Sequence, residues 1–126
     1  MRNYSKKRQK RNREVRDGRM ELIASVGYCE MCGSKQSDNP IKKLCVHEIA
    51  NGPNRAKALD KRFACLVLCV LCNCNDAEDK KLWPEARQLW LLQTYRPMDY
   101  DLKAYNELIN PSAPNRILQS EVDNYF

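Results

Sequence analysis

The residues best suited to chemistry in this chain are two Cys-x-x-Cys pairs, Cys29–Cys32 and Cys69–Cys72. Each pair can curl so that two thiolates face one ion, and four thiolates satisfy the tetrahedral preference of Zn²⁺. Gly33 suits the tight turn of a zinc knuckle. A redox-active Cys-x-x-Cys motif would not require a second cysteine pair. An iron–sulfur cluster, by contrast, is bound by cysteine thiolates as zinc is. The spacing predicts one structural zinc, with the cluster as the alternative.

The other three cysteines, Cys45, Cys65 and Cys74, lie outside these pairs. A total of 7 cysteines fits poorly with a fully paired disulfide framework. The first twenty residues are charged and lack the apolar run of a signal peptide, so we expect a cytoplasmic protein with reduced thiols. We expect these three cysteines to fill the core, and the alternative is a second metal site formed by Cys45, His47 and Cys74.

The charge of the chain favours a polyanionic partner. There are 22 Lys and Arg against 16 Asp and Glu, which gives a net charge of +6. Nucleic acid is favoured over a membrane surface, and no run of about 18 apolar residues could cross a bilayer. Residues 1–13 are predicted to be a basic disordered arm. The residues expected there to contact DNA phosphates are Lys6, Lys7, Arg8, Lys10 and Arg11. The alternative is a solvated tail.

The elements that must position the cysteines can be read from the apolar pattern. Val15, Leu22, Ile23 and Val26 predict a lead-in helix that ends at Gly27. A short strand is predicted near Leu44–Ile49, and the run 65–69 predicts a buried strand that enters the second cysteine pair. The length suits one domain. We predict an α+β fold, with a zinc-stabilised core at 14–82 and a helical extension at 83–126 that packs on it.

Three segments together resemble the zinc-stabilised HNH endonuclease family: Cys29-x-x-Cys32, Val46-His47-Glu48-Ile49 and Leu68-Cys69-x-x-Cys72-Asn73. They are most similar to phage-encoded HNH proteins and phage junction-resolving recombination endonucleases, in which an asparagine also follows the fourth zinc cysteine. Residues 29–76 carry the resemblance. It implies a small treble-clef or ββα-metal unit in which two strands and a helix hold a divalent cation against a phosphodiester.

The resemblance also implies site residues. His47 falls on a ligand of the catalytic cation, Mg²⁺ or Mn²⁺, and Asn73 falls on the second ligand. Glu48 falls on the general base, and Asp76 would support the metal or its water. In the alternative assignment His47 is the base, and Glu48, Asn73 and Asp76 bind the cation. Arg55, Lys57 and Arg62 are expected to contact DNA phosphates.

The chain departs from the family pattern at two points. Ala64 stands near the position of the middle asparagine, which orients the base, and the chain has 1 His in total.

The function that the resemblance implies is a metal-dependent DNA endonuclease of low sequence specificity, encoded by a phage, with packaging or recombination proteins as further partners. The alternative is a catalytically inactive zinc-stapled DNA-binding or phage assembly accessory protein. An adaptor that binds only protein is a third option. The substrate's form, the number of strands cut and the oligomeric state are left open.

Overall fold

The computed structural model of the chain describes residues 5–50, 54–77, 79, 81–109 and 117–124. It is a mixed structure of helices and one small antiparallel sheet, so the α+β prediction is confirmed. In chain order the elements are helix α1 (Lys6–Val26), strand β1 (Leu44–Glu48), helix α2 (Arg55–Ala58), a 3₁₀ turn (Arg62–Ala64), strand β2 (Cys65–Cys69), a π-helical segment (Cys72–Ala77), and helices α3 (Glu85–Tyr95), α4 (Leu102–Ile109) and α5 (Gln119–Asp123).

Helix α1 begins earlier than its apolar pattern suggested. Ser5 is the N-cap, and its hydroxyl accepts a hydrogen bond from the Arg8 amide at 3.2 Å. The prediction of a disordered arm is therefore wrong for residues 6–13, while residues 1–4 lie outside the described part. Lys, Arg and Gln have good helix propensity, so a capped run of them extends a helix without an apolar face. The predicted end at Gly27 is confirmed, since that residue caps the helix with φ of 75°.

Strands β1 and β2 form an antiparallel pair in which Leu44 lies opposite Cys69 and Glu48 lies opposite Cys65. Every residue of β2 is buried, as its continuous apolar sequence predicted. Helix α1 contacts both strands, and α3 contacts β2. Because side chains alternate along a strand, neighbouring residues of β1 face different helices. His47 contacts α3, and Glu48 contacts α1.

The three C-terminal helices share one hydrophobic core with the strands. Leu89 and Leu92 of α3, Tyr105 of α4 and Val122 of α5 are fully buried in the same cluster as β2. Asp101 precedes α4, and its carboxylate accepts a hydrogen bond from the Ala104 amide at 3.0 Å, which caps the helix. None of the helices in the described ranges is long and apolar enough to cross a bilayer.

Candidate functional site

The four cysteines of the two predicted pairs converge. Their sulfur atoms all lie within 4.8 Å of one another, and the Sγ atoms of Cys32 and Cys69 are 3.8 Å apart. A tetrahedron of sulfurs about 2.3 Å from a central zinc has edges of about 3.8 Å. Cys29, Cys69 and Cys72 are buried, and Cys32 is exposed. The donor set therefore fits a structural metal ion such as zinc, with all four positions supplied by protein.

The first pair is shaped by its local hydrogen bonds. The Gly33 amide donates to the Cys29 carbonyl at 2.8 Å, and the Cys29 amide donates to the Ser34 carbonyl at 2.8 Å. Gly33 has φ of 80°, a conformation that a residue with a Cβ adopts at a cost. The Cys32 amide points at Cys29 Sγ, 3.5 Å away. This turn presents both sulfurs on one side, as the sequence predicted.

The thiols of this site have perturbed acidities. Burial acts to raise the pKa of Cys32, but hydrogen bonds with Ser34, Cys29 and Cys72 together outweigh it and lower that pKa to about 6. Burial raises the pKa of Cys29 and, together with a hydrogen bond from Cys69, that of Cys72. A metal ion binds thiolates, so its binding releases protons from these sulfurs.

A buried ion pair supports the first cysteine pair from behind. Glu30 lies between Cys29 and Cys32, and its carboxylate accepts hydrogen bonds from the Val67 amide at 2.7 Å and from Arg96 Nε at 2.8 Å. The Arg96 guanidinium also donates to the Cys65 carbonyl and pairs with Asp99 at 3.0 Å. The knuckle is thereby tied to β2 and to the end of α3.

His47, the predicted catalytic histidine, is buried and contacts α3. The residue is only 2% exposed, and its Nε2 lies 2.9 Å from Gln88 Oε1. The Gln88 amide nitrogen donates to the carbonyls of Trp83 at 2.9 Å and Ala77 at 3.4 Å. Because these bonds orient the amide, its oxygen faces the ring, and Nε2 of His47 carries the proton.

Glu48, the predicted general base, lies on the other face of β1. Its carboxylate pairs with Arg19 of α1 at 3.1 Å, and its side chain is 17% exposed. Arg19 also donates to the carbonyls of Leu59 at 2.8 Å and Val46 at 2.9 Å. The structure therefore does not bring Glu48 to the face of the strand that carries His47.

Asn73 lies on the same side of the hairpin as His47. Its amide nitrogen is 3.4 Å from Cys45 Sγ, and Cys45 shares its face of β1 with His47 by strand alternation. Asn73 lies in the π-helical segment, and the side chain of Asp76 lies outside what the structure describes. Of the predicted catalytic residues with described side chains, His47 and Asn73 thus share a face.

The remaining cysteines divide by burial. Cys65 is buried, as expected, and burial raises the pKa of its thiol to about 12. Cys45 is half-buried, and Cys74 is exposed, so core filling is wrong for Cys74. The alternative second site of Cys45, His47 and Cys74 is not formed, because the four paired cysteines are the only cluster of metal-binding side chains found in the described ranges.

The basic residues expected to contact DNA lie on α1, on α2 and in the 3₁₀ turn. Arg8 and Arg11 line a groove of about 730 Å³ between α1 on one side and β1 and α2 on the other. Lys6, Lys7 and Lys10 are exposed on α1, and Lys57 is exposed on α2. Arg55 is half-buried at the start of α2. Arg62 is exposed and pairs with Asp99 at 3.7 Å.

Sequence reasoning missed the residues that cover the site. Gln88, Arg96 and Arg19 each bond to a residue of the motif from a distant part of the chain. Glu30 carried a local signal, since a carboxylate between two metal-binding cysteines needs a partner when it is buried. Gln88, Arg96 and Arg19 carried no local signal, because their motif partners are 29 to 66 residues away along the chain.

Comparisons of the chain with protein-family models, with curated proteins and with solved structures find no match.

Proposed function

We propose that this protein is a zinc-stapled DNA-binding protein whose long basic helix contacts phosphates. The observation that carries the proposal is that α1 holds four arginines along one groove, on a core where four cysteine sulfurs converge. The order of knuckle, hairpin and π-helical segment is what a small treble-clef unit would have, and we include that fold in the proposal. Arginine suits phosphate because its planar guanidinium donates two parallel hydrogen bonds.

The proposed zinc would act on folding and not on the DNA. Four protein ligands leave no open coordination position, so such an ion contributes stability rather than catalysis. The β1–β2 pair has only two strands, and two-stranded hairpins are marginally stable by themselves. Zinc would therefore hold the hairpin against the first knuckle. Arg19 would in turn hold α1 against the hairpin through Glu48 and two carbonyls.

Binding is tested by fluorescence anisotropy with a labelled oligonucleotide over a range of salt concentrations. Electrostatic binding predicts a steep linear fall of log K with log salt concentration. Arg8→Glu with Arg11→Glu should weaken binding by at least about tenfold. The matched control is Lys81→Glu with Lys103→Glu, which makes the same change in net charge at exposed positions elsewhere. Equal losses of affinity in both double variants would show that net charge alone accounts for the weaker binding, and this would refute the proposed interface.

The second candidate function is metal-dependent DNA cleavage of the HNH type. It is favoured by Asn73, which lies on the same face of the hairpin as His47, where the resemblance puts the two cation ligands. Mg²⁺ or Mn²⁺ held there would neutralise the scissile phosphate. Glu48 would have to leave Arg19 to act as base, and His47 would have to open from α3. Because both residues are engaged, binding is the first proposal and cleavage the second.

Cleavage is tested by incubating plasmid DNA with the zinc-loaded protein and Mg²⁺ or Mn²⁺. If the protein is a nuclease, the wild type nicks or linearises the plasmid, and His47→Ala abolishes this while the zinc content stays unchanged. Equal cleavage by His47→Ala would indicate a contaminant or another site. If the protein binds DNA but cleaves it with neither ion, DNA binding is the only one of the two proposed functions that remains. Phage packaging or recombination proteins as partners are part of this second proposal.

A further inference from the structure

The charges of α1 are segregated around its axis. The residues that line the groove recur every three or four positions and so share one face. We name this the arginine face, and its charged members are Arg8, Arg11, Arg16 and Arg19. None of the three acidic residues of the helix lines this groove, although Glu14 lines a smaller neighbouring pocket together with Arg11 and Asp60. We name the rest of the helix surface the outward face, and its charged members are Lys6, Lys7, Lys10, Arg13, Glu14, Asp17 and Glu21.

The two faces differ in the charge that they offer to a phosphate. The outward face has four basic and three acidic residues, and Lys10 lies 4.0 Å from Glu14. On the arginine face, Arg19 is engaged by Glu48, and Arg16 lies 3.8 Å from Asp17 at the exposed boundary between the faces. Arg8 and Arg11 are exposed at the mouth of the groove. The groove is lined by four arginines and no carboxylate, so a polyanion is attracted more strongly to the groove than to the outward face.

The floor of the groove is aliphatic. Val15 and Ile23 of α1 face Leu44 and Val46 of β1 and Leu59 beyond α2. None of the residues that line the groove, all of them in the described ranges, is acidic or aromatic. Sites for a single strand combine a cationic track for the phosphates with side chains against which the bases pack, commonly aromatic ones. Here the floor is aliphatic, so bases that turn inward would be held by hydrophobic contact and not by stacking. In a duplex the bases are stacked inside the double helix. Its phosphates could therefore contact the arginines at the rim, but its bases could not reach the aliphatic floor.

The edge of β1 in this groove does not favour a peptide strand. The Leu44 amide already donates to Gln36 Oε1 at 2.7 Å, and the Val46 carbonyl already accepts from Arg19 at 2.9 Å. An added peptide strand would need such edge groups for its own hydrogen bonds.

We infer that an unpaired nucleic-acid strand binds in this groove, with its phosphates on Arg8 and Arg11 and its bases against the aliphatic floor. The inference rests on the proposed DNA-binding function and narrows its substrate to single-stranded segments. It assigns a minor role to Lys6 and Lys10, which the sequence had grouped with the two arginines.

The test compares two charge-matched double variants of the zinc-loaded protein. Arg8→Glu with Arg11→Glu alters the arginine face, and Lys6→Glu with Lys10→Glu alters the outward face. Affinities for a labelled oligothymidylate and for a duplex of equal length are measured by anisotropy across salt concentrations, and circular dichroism verifies that both variants are helical. Loss of two phosphate contacts to a single strand lowers the salt slope by about 1.4.

The expected result is at least about tenfold weaker oligothymidylate binding by the arginine-face variant, less than about threefold for the outward-face variant, and weaker binding of the duplex by the wild type. Val15→Ser should also weaken binding of the oligothymidylate, with its salt slope unchanged.

Three results would overturn the inference. Equal losses in the two double variants would remove the preference for the groove. Equal or tighter binding of the duplex would remove the single-strand preference while leaving DNA binding intact. Binding of poly-glutamate without binding of either oligonucleotide would identify an acidic peptide site, and the proposed function would then fail as well.

Discussion

Replacing Arg96 by methionine should destabilise the protein through the first cysteine pair. Arg96 is the cationic partner of Glu30, whose side chain is 0% exposed. The same guanidinium donates to the backbone carbonyls of Cys65 and Arg62, the latter at 3.3 Å. Methionine keeps much of the aliphatic volume and removes every one of these donors. Glu30 would then be a buried carboxylate without its cation.

The expected cost follows from that isolation. Removing one partner of a buried ion pair costs about 3–5 kcal/mol, because the remaining charge is desolvated and uncompensated. A domain of this size has a total stability of about 5–15 kcal/mol, so Arg96→Met removes a large share of it. Adding Glu30→Gln removes the isolated charge, and the glutamine oxygen can still accept from the Val67 amide. We therefore expect the double variant to be more stable than Arg96→Met by at least about 1 kcal/mol.

Urea unfolding at saturating zinc, followed by tryptophan fluorescence, measures these free energies. Arg13→Met, at an exposed position of α1, is the matched control and should change stability by less than about 0.5 kcal/mol. Two results would refute this role of the Glu30–Arg96 pair. One is a cost of less than about 1 kcal/mol for Arg96→Met, and the other is that the free-energy changes of Arg96→Met and Glu30→Gln simply add in the double variant.

Three further predictions concern the metal, Cys65 and His47. Chelation of zinc should unfold the hairpin and its knuckle, with loss of the cooperative transition in circular dichroism, because a structural metal contributes folding free energy; a fully folded metal-free chain would contradict this. The pKa of Cys65 is raised from 9.0 to about 12, so its stabilising contribution should be present below pH 9 and be lost as pH rises toward 12. Cys65→Ala should flatten that part of the stability–pH curve, and an unchanged slope would refute the assignment. His47→Ala should lower the unfolding free energy by about 1–3 kcal/mol, because Gln88 Oε1 loses its buried donor, whereas a cost near zero would mean that the ring is not enclosed.

The cysteine site was predictable because its information is local. Each Cys-x-x-Cys pair specifies a turn by its own spacing, and a single ion then requires the two turns to meet. The run Cys65–Cys69 likewise carries its own evidence for burial, since five residues without a charge make a strand buried on both faces.

The surroundings of His47 and Glu48 were not predictable, because they depend on pairings between distant segments. Gln88 is 41 residues from His47, and Arg19 is 29 residues from Glu48. A motif specifies which residue types stand side by side in the chain. It does not specify whether a later helix covers one of them. The start of α1 was missed for a different reason: residues 6–13 have helix propensity and a cap but no apolar face, so periodicity gave no signal.

X-ray absorption at the zinc edge of the purified protein, combined with metal analysis, tests the four-thiolate centre most directly. We predict one zinc per chain with four sulfur neighbours at about 2.3 Å. Cys69→Ser should replace one of those sulfurs by a lighter atom. A shell of nitrogen and oxygen, or a well-folded chain without bound metal, would contradict the account.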